Sequence, residues 1–132
     1  MISRMGGFKV GTSFVQALGQ WIDQQPALSL PVEDVDKVAR GKALFQSDAT
    51  GCAGCHSGPA LTNNASADVG TGGSFQVPAL LGLGLRAPYM HDGCAATLRG
   101  RFEPKCGGTQ HGHTAQLAEA ELSDLIAYLS SL

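Results

Sequence analysis

Residues 52–56 read Cys52-Ala53-Gly54-Cys55-His56, a C-x-x-C-H motif. This pattern is the attachment signature of a c-type haem. Two thiols three positions apart, at the start of a helical turn, can each bond one vinyl group of a porphyrin, and the following histidine can give its imidazole to the iron. We therefore predict one covalent haem c, held by thioether bonds to Cys52 and Cys55, with His56 as the proximal iron ligand.

A C-x-x-C pair also occurs in zinc sites and in thiol redox centres. A zinc ribbon would need a second such pair, whereas the remaining cysteines, Cys94 and Cys106, are twelve positions apart. A thioredoxin-like centre would need a βαβ context, but the flanking segments have the patterns of helices and loops. We predict that Cys94 and Cys106 form a disulfide bond in an oxidising compartment; two buried free thiols are the alternative.

Composition limits the class of protein. The chain has 132 residues, a formal net charge of −2 and no basic run that would indicate a nucleic-acid partner. It has no run of about 18 apolar residues, so no membrane span is predicted. Residues 1–30 lack the pattern of a signal peptide. Because covalent haem attachment normally takes place outside the cytoplasm, we expect a periplasmic or otherwise extracytoplasmic protein, either a mature chain or a piece of a longer one.

Helical periodicity predicts three main helices. An amphipathic helix is expected over 12–24, in which Trp21 packs rather than contacts a haem. A second is expected over 32–46, where Gly41 indicates close approach of another helix, and a third over 118–131. Between them we predict a linker at 26–31, an irregular loop over 63–75, a short helix over 95–102 and a loop over 103–114. The predicted domains are an N-terminal helical extension and linker, 1–30, and a monohaem domain, 31–132.

Three motifs of the chain occur together in one known family. They are a glycine and an aromatic residue four positions apart, the C-x-x-C-H motif, and an L-x-x-Y-L pattern in the last helix (Gly41, Phe45, Cys52, Cys55, His56, Leu125, Tyr128, Leu129). On these residues the region of about 32–132 resembles a class I cytochrome c. The resemblance implies an all-α fold of three to four helices around one haem, with the two terminal helices crossing at Gly41.

A longer segment resembles a narrower family. Val77-Pro78, then Ala87-Pro88-Tyr89-Met90-His91-Asp92-Gly93 and Ala95-Ala96-Thr97-Leu98, is similar to the C-terminal haem domain of bacterial dihaem cytochrome c peroxidases. The chain differs from that family in having a single C-x-x-C-H motif, and in having Leu81-Gly82 where the family has Arg-Asn. These differences favour one haem over two and an electron carrier over a peroxidase.

The second axial ligand of the iron has four candidates: Met90, His111, His113 and His91. Met90 lies 34 residues after the proximal histidine, and a thioether ligand would raise the reduction potential. His111 lies 17 residues before Tyr128; the resemblance to class I cytochromes implies a distal ligand somewhat closer than twenty residues to that tyrosine. His111 would give bis-imidazole iron with a lower potential. Met90 and His111 stand as equal alternatives, and His113 is a weaker one.

Three further residues are expected to contact the haem. Pro78 would pack against the porphyrin edge, and Arg86 and His91 would bind propionates. The function predicted from this site is outer-sphere electron transfer between Fe(II) and Fe(III), with a redox-protein donor and acceptor docking over an exposed haem edge. The alternatives are a haem domain of the peroxidase or oxygenase type with an open sixth site, and the electron-entry module of a larger multidomain redox enzyme.

Overall fold

The computed structural model describes residues 10–26 and 28–132, so predictions that fall on residues 1–9 and 27 of the N-terminal extension lie outside it. In the described part, the α-helices are α1 (Thr12–Asp23), α2 (Val35–Gln46), α3 (Cys52–Cys55) and α4 (Glu119–Ser130), and the strands are β1 (Ser66–Asp68) and β2 (Ser74–Gln76). Short 3-10 turns are formed by Leu83–Leu85, Arg99–Phe102, Pro104–Cys106 and Gly108–Gln110. The predicted all-α class with three to four helices is confirmed.

The crossing of α2 and α4 at Gly41 is the centre of the fold. A Cβ atom placed on Gly41 would lie 2.0 Å from the backbone oxygen of Asp124 and 2.8 Å from Cβ of Tyr128. Only a residue without a side chain permits this approach, which accounts for a glycine inside a helix despite a cost of about 1 kcal/mol. The predicted reason for Gly41, close approach of another helix, is confirmed.

The apolar core surrounds this crossing. Phe45 of α2 is 2% exposed, and its ring centre lies 5.3 Å from that of Tyr128 in α4. Leu125, nearly one turn before Tyr128, is 1% exposed. The segments between the helices add Leu80 and Leu98 to the same cluster. Because burying a side chain of this size contributes about 1.5–3 kcal/mol, the helices and the connecting segments stabilise one another.

Polar contacts fix the position of α2 against α4. Asp34 caps the start of α2 by accepting a hydrogen bond of 2.8 Å from the backbone N–H of Lys37. The Arg40 guanidinium donates to both carboxylate oxygens of Asp124, over 2.6 and 3.1 Å. This pairing lowers the pKa of Asp124 below its ordinary value, chiefly through the hydrogen bond. The ion pair lies beside Gly41 and ties the two helices together at their closest point.

The structure corrects the prediction of an irregular loop over 63–75. Residues 66–68 and 74–76 form an antiparallel hairpin in which Ser66 pairs with Gln76 and Asp68 with Ser74. The Asp68 carboxylate accepts a hydrogen bond of 2.9 Å from the N–H of Gly70 and so starts the turn. Strands of three mostly polar residues carry no hydrophobic alternation, and the pairing is therefore invisible to a periodicity argument.

The short helix predicted over 95–102 is only half right. Arg99–Phe102 forms a 3-10 turn, but Ala95 is paired with Tyr89 in an isolated β-bridge, with backbone hydrogen bonds of 2.7 and 3.4 Å. Ala95 is 1% exposed. The bridge pairs the backbone groups of Ala95 with those of Tyr89, outside the reach of a helical hydrogen bond, and this overrides its helical propensity.

The helix α1 is present as predicted, but no residue of it is buried. Trp21 is 60% exposed, so its predicted role as a packing residue is wrong in the described part of the chain. The linker lies close to two glycines of the following domain: a Cβ on Gly82 would lie 3.2 Å from the Leu28 oxygen, and one on Gly84 would lie 3.0 Å from Leu30 Cδ1. Among residues 10–26 and 28–132, no helix has the length and apolar character needed to cross a membrane.

Candidate functional site

The C-x-x-C-H motif forms one helical turn, α3, directly after α2. Thr50 is 1% exposed and donates its hydroxyl to the Leu44 oxygen over 2.6 Å, which joins the end of α2 to the start of α3. The His56 N–H donates to the Cys52 oxygen over 3.0 Å and closes the turn. Cys52 and Cys55 are partly buried free thiols. One short, fixed segment therefore supplies two sulfurs and an imidazole.

The imidazole of His56 is held in one tautomer. Its Nδ1 lies 3.1 Å from the Leu61 oxygen, and in this hydrogen bond the ring N–H donates. Nε2 then carries the lone pair, as a metal ligand requires. Burial lowers the pKa of His56, the carbonyls of Leu61 and Pro78 partly oppose this, and the charge of Arg101 lowers the pKa further. The ring is therefore neutral at pH 7.

His111 lies beside His56. Their ring centres are 6.1 Å apart and their planes are inclined by 33°. Burial lowers the pKa of His111 to about 3, and the charge of Arg101, with that of His56 when His56 is protonated, acts in the same direction. Its Nδ1 is buried and has no hydrogen-bond partner among the described residues. The structure thus brings together two of the predicted iron ligands as a pair of neutral imidazoles.

Arg101 holds the loop that carries His111, and it was not predicted as a site residue. Its Nη1 donates to the Gly108 oxygen over 3.1 Å, and its Nη2 donates to the oxygen of His111. The guanidinium carbon lies 4.2 Å from the ring centre of Phe102. Burial lowers the pKa of Arg101 to about 10. These contacts form only when the 3-10 turns fold back on one another, so no local sequence pattern signals them.

A disulfide bond joins Cys94 to Cys106, with their Cα atoms 5.8 Å apart, and the predicted pairing is confirmed. Cys106 is fully buried. The bond links the segment of Met90 to the loop of His111. Closing a loop of this length contributes about 3 kcal/mol in the chain-entropy model.

Comparison with known proteins decides the family. Residues 38–132 match the protein-family model described as cytochrome c. This chain belongs to the cytochrome c family. The resemblance to c-type cytochromes seen in the sequence is confirmed, and membership implies a covalently bound haem c.

Two known proteins that this cytochrome resembles, one in sequence and one in fold, are longer than the chain itself. It is 29% identical to the methylamine utilization protein MauG of Methylorubrum extorquens, over 70% of this chain and 33% of MauG. It is similar in fold to a hydrazine synthase chain of Kuenenia stuttgartiensis, solved under 20 bar xenon. That match has a TM-score of 0.76 and 22% identity and covers 94% of this chain and 56% of the other. The cytochrome therefore spans about a third of MauG and about half of the hydrazine synthase chain.

The side chains of this cytochrome fit a haem c. The two free thiols lie in one turn, as double attachment to a porphyrin needs. Two metal–imidazole bonds of about 2 Å each, with the offset from nitrogen to ring centre at both ends, give about 6 Å between ring centres, and His56 and His111 are 6.1 Å apart. Within the described ranges, no group of three or more His, Cys, Asp or Glu side chains is arranged as a metal site, as zinc would need.

Met90 and His91 lie in the turn that precedes the disulfide. Met90 is partly buried, has a φ of 71° and accepts a hydrogen bond of 3.3 Å from the N–H of Gly93. The ring of His91 is stacked on Phe75 of the hairpin, with 3.8 Å between the ring centres and 20° between the planes. His91 already has a partner within the protein, and a propionate contact for it stays a prediction.

The other predicted contacts are at the surface. His113 is exposed, but its backbone N–H donates to the Thr50 oxygen over 2.9 Å and ties the loop to the start of α3. Pro78 is also exposed, with its carbonyl near the His56 ring. Arg86 is exposed and donates to the Ala79 oxygen over 2.5 Å. Their roles toward a haem stay predictions.

Proposed function

We propose that this cytochrome carries one haem c and transfers single electrons between redox proteins. Cys52 and Cys55 hold the cofactor by thioether bonds, His56 is the proximal ligand and His111 is the distal ligand. The observation that carries the proposal is the 6.1 Å separation of two half-buried imidazole rings next to a pair of free thiols. When bound, haem c supplies a one-electron iron couple.

His111 is preferred to Met90 as the distal ligand because its ring is already beside that of His56. Both imidazoles are kept neutral by burial, so neither must lose a proton before it can bind a metal ion. Two imidazole ligands give a lower reduction potential than one imidazole with a thioether. With both axial positions filled by the chain, no position remains for a substrate, which favours a carrier over a peroxidase.

Spectra of the haem-loaded protein test the ligand assignment. The ferric wild type should be six-coordinate and low-spin, without the long-wavelength sulfur–iron charge-transfer band. His111→Ala should become high-spin and bind added imidazole, whereas the matched variant Met90→Leu should keep the wild-type spectrum. A sulfur–iron band that disappears in Met90→Leu would show that methionine is the ligand. A high-spin wild type that binds cyanide and peroxide would favour the peroxidase alternative.

A second candidate is that the chain is the electron-entry module of a larger redox enzyme. The observation in its favour is that the cytochrome covers only 33% of MauG and 56% of the hydrazine synthase chain. We further propose residues 31–132 as the haem domain and residues 1–30 as an extension, since α1 has no buried residue. The mass of the native gene product, detected with an antibody, tests this candidate. A product of the size of this chain would contradict it.

An extracytoplasmic location, in the periplasm of a bacterial cell, is proposed for the same protein. The Cys94–Cys106 disulfide supports it, because such bonds persist in oxidising compartments. Cell fractionation tests this proposal: the red protein should appear in the periplasmic extract with a cytoplasmic marker absent. Recovery of the haem-loaded protein with the cytoplasmic marker would contradict it.

A further inference from the structure

We propose that Arg101 is a positioning residue that holds His111 beside His56 by clamping the backbone of the loop 108–111. The inference rests on the proposed function, in which His111 is the distal ligand. It assigns to Arg101 a role in ligand geometry rather than direct contact with the iron.

The planar guanidinium spans the loop. Nη1 donates to the Gly108 oxygen over 3.1 Å, and Nη2 donates to the oxygen of His111 itself. The face of the guanidinium is covered by the Phe102 ring, 4.2 Å from its centre. One planar guanidinium therefore joins both ends of the segment 108–111 to the 3-10 turn of residues 99–102. A lysine, whose ammonium is a compact point charge, does not reproduce two donors in a fixed plane.

The His111 ring is not oriented by a hydrogen bond through Nδ1 to any described residue. His56 is oriented through Nδ1 and the Leu61 oxygen, but Nδ1 of His111 is buried without a partner. The position of the ring therefore depends on where the backbone of residue 111 is held. Gly107, Gly108 and Gly112 flank this backbone and all have positive φ values of 47° to 89°. Because glycine adds conformational freedom, the loop needs an external tie.

No carboxylate of the described residues pairs with the Arg101 guanidinium. Among the described residues, the ion pairs are Arg40–Asp124, Arg99–Glu119 and Lys105–Glu103, and Arg101 has none. Its neighbourhood instead includes the sulfur of Cys52, since a Cβ on Gly112 would lie 3.7 Å from that sulfur and 3.9 Å from Nη2 of Arg101. The guanidinium thus lies between the attachment turn and the His111 loop, and its donors remain available for the two carbonyls.

The rate at which imidazole displaces the distal ligand tests whether Arg101 holds His111 in position. Haem-loaded wild type, Arg101→Lys, Arg101→Gln and His111→Ala are mixed with excess imidazole, and displacement of the distal ligand is followed by stopped-flow absorbance. Loss of two hydrogen bonds from a charged donor predicts that both Arg101 variants exchange about 10-fold faster or more. The control is Arg99→Lys, from the same 3-10 turn, whose guanidinium is exposed and pairs with Glu119; it should exchange at the wild-type rate.

The outcomes separate the two proposals. If His111→Ala keeps the low-spin wild-type spectrum, the distal ligand is not His111 and the proposed ligation fails. If His111→Ala becomes high-spin but both Arg101 variants exchange at the wild-type rate, the ligation stands and the clamp is overturned. If exchange is faster in Arg101→Gln but Arg101→Lys exchanges at the wild-type rate, the positive charge and not the pair of guanidinium hydrogen bonds holds His111. That result would also overturn the proposal.

A measurement on the wild type covers the case in which the variants do not fold. Guanidinium protons that are hydrogen-bonded and half-buried exchange slowly with D2O, whereas exposed ones exchange fast. NMR of the reduced protein should therefore show at least about 10-fold slower exchange for the guanidinium protons of Arg101 than for those of Arg99. Equal rates would overturn the proposal.

Discussion

Replacing Gly41 by alanine perturbs the helix crossing at one atom. The added Cβ would lie 2.0 Å from the backbone oxygen of Asp124 and 2.6 Å from its carbonyl carbon, where ordinary contacts begin at 3.4 Å. These are backbone atoms within a helix, so no side-chain rotation relieves the overlap. The difference between 3.4 and 2.0 Å requires α2 and α4 to separate locally by about 1.4 Å.

The cost of this separation can be worked out from the packing around the crossing. A gap of about 1 Å between packed surfaces forfeits a quarter to a half of their dispersion energy, and the surfaces that part include Phe45 and Leu125. Overpacking of a core costs about 1–3 kcal/mol or more. Alanine returns about 1 kcal/mol through better helix propensity. We expect a net loss of about 2 kcal/mol, which is the upper end of the overpacking cost less the gain in propensity, or about 8 °C in Tm for a chain of this size.

Thermal unfolding of the haem-loaded protein, followed by far-UV circular dichroism, measures this loss. The matched control is Gly19→Ala in α1, where a Cβ meets nothing within 4 Å; its Tm should not fall. A Tm for Gly41→Ala within about 2 °C of the wild type would refute the reasoning. So would an equal loss in both variants, because that would point to a general effect of alanine.

Three other predictions concern stability. Replacing both Cys94 and Cys106 by serine should lower the free energy of unfolding by about 3 kcal/mol in urea titrations; an unchanged midpoint would mean that the bond adds nothing. The pKa of Asp124 is lowered in the folded state, so the stability from its pair with Arg40 is complete above the unfolded pKa near 3.8 and is lost as the pH falls through the lower folded pKa. In Asp124→Asn the free energy of unfolding should fall less steeply between pH 6 and pH 2 than in the wild type. An equally steep fall would contradict the assignment. Trp21→Ala should change the free energy of unfolding by less than about 0.5 kcal/mol, because the side chain is 60% exposed; a larger loss would show that α1 packs.

The sequence alone predicted the features that depend on a short motif or on helical periodicity. The C-x-x-C-H motif predicted the attachment turn, and helical spacing predicted α2 and α4 to within a few residues at each end. Gly41 predicted the crossing because a glycine inside a helix is costly and needs a reason. The leftover pair Cys94 and Cys106 predicted the disulfide by its even number alone.

The sequence could not choose between Met90 and His111. Both residues lie at usable distances along the chain, and the choice depends on the path of a glycine-rich loop. In the proposed site that path is held by the disulfide and by Arg101, whose two acceptors, Gly108 and His111, become its neighbours only after folding. The exposure of Trp21 was missed for a related reason: helical spacing shows that a face is apolar but not whether another surface covers it.

The disulfide has a consequence for the way this cytochrome matures. Its four cysteine sulfurs have two fates: Cys94 and Cys106 must each give up an electron and a proton to an external oxidant as their S–S bond forms, while Cys52 and Cys55 must stay reduced until they bond to carbon. Cys106 is fully buried in the folded chain, so its thiol is open to an external oxidant before the core closes. A host that oxidises every thiol at once would trap colourless protein, and a host that oxidises none would release a red chain missing its cross-link.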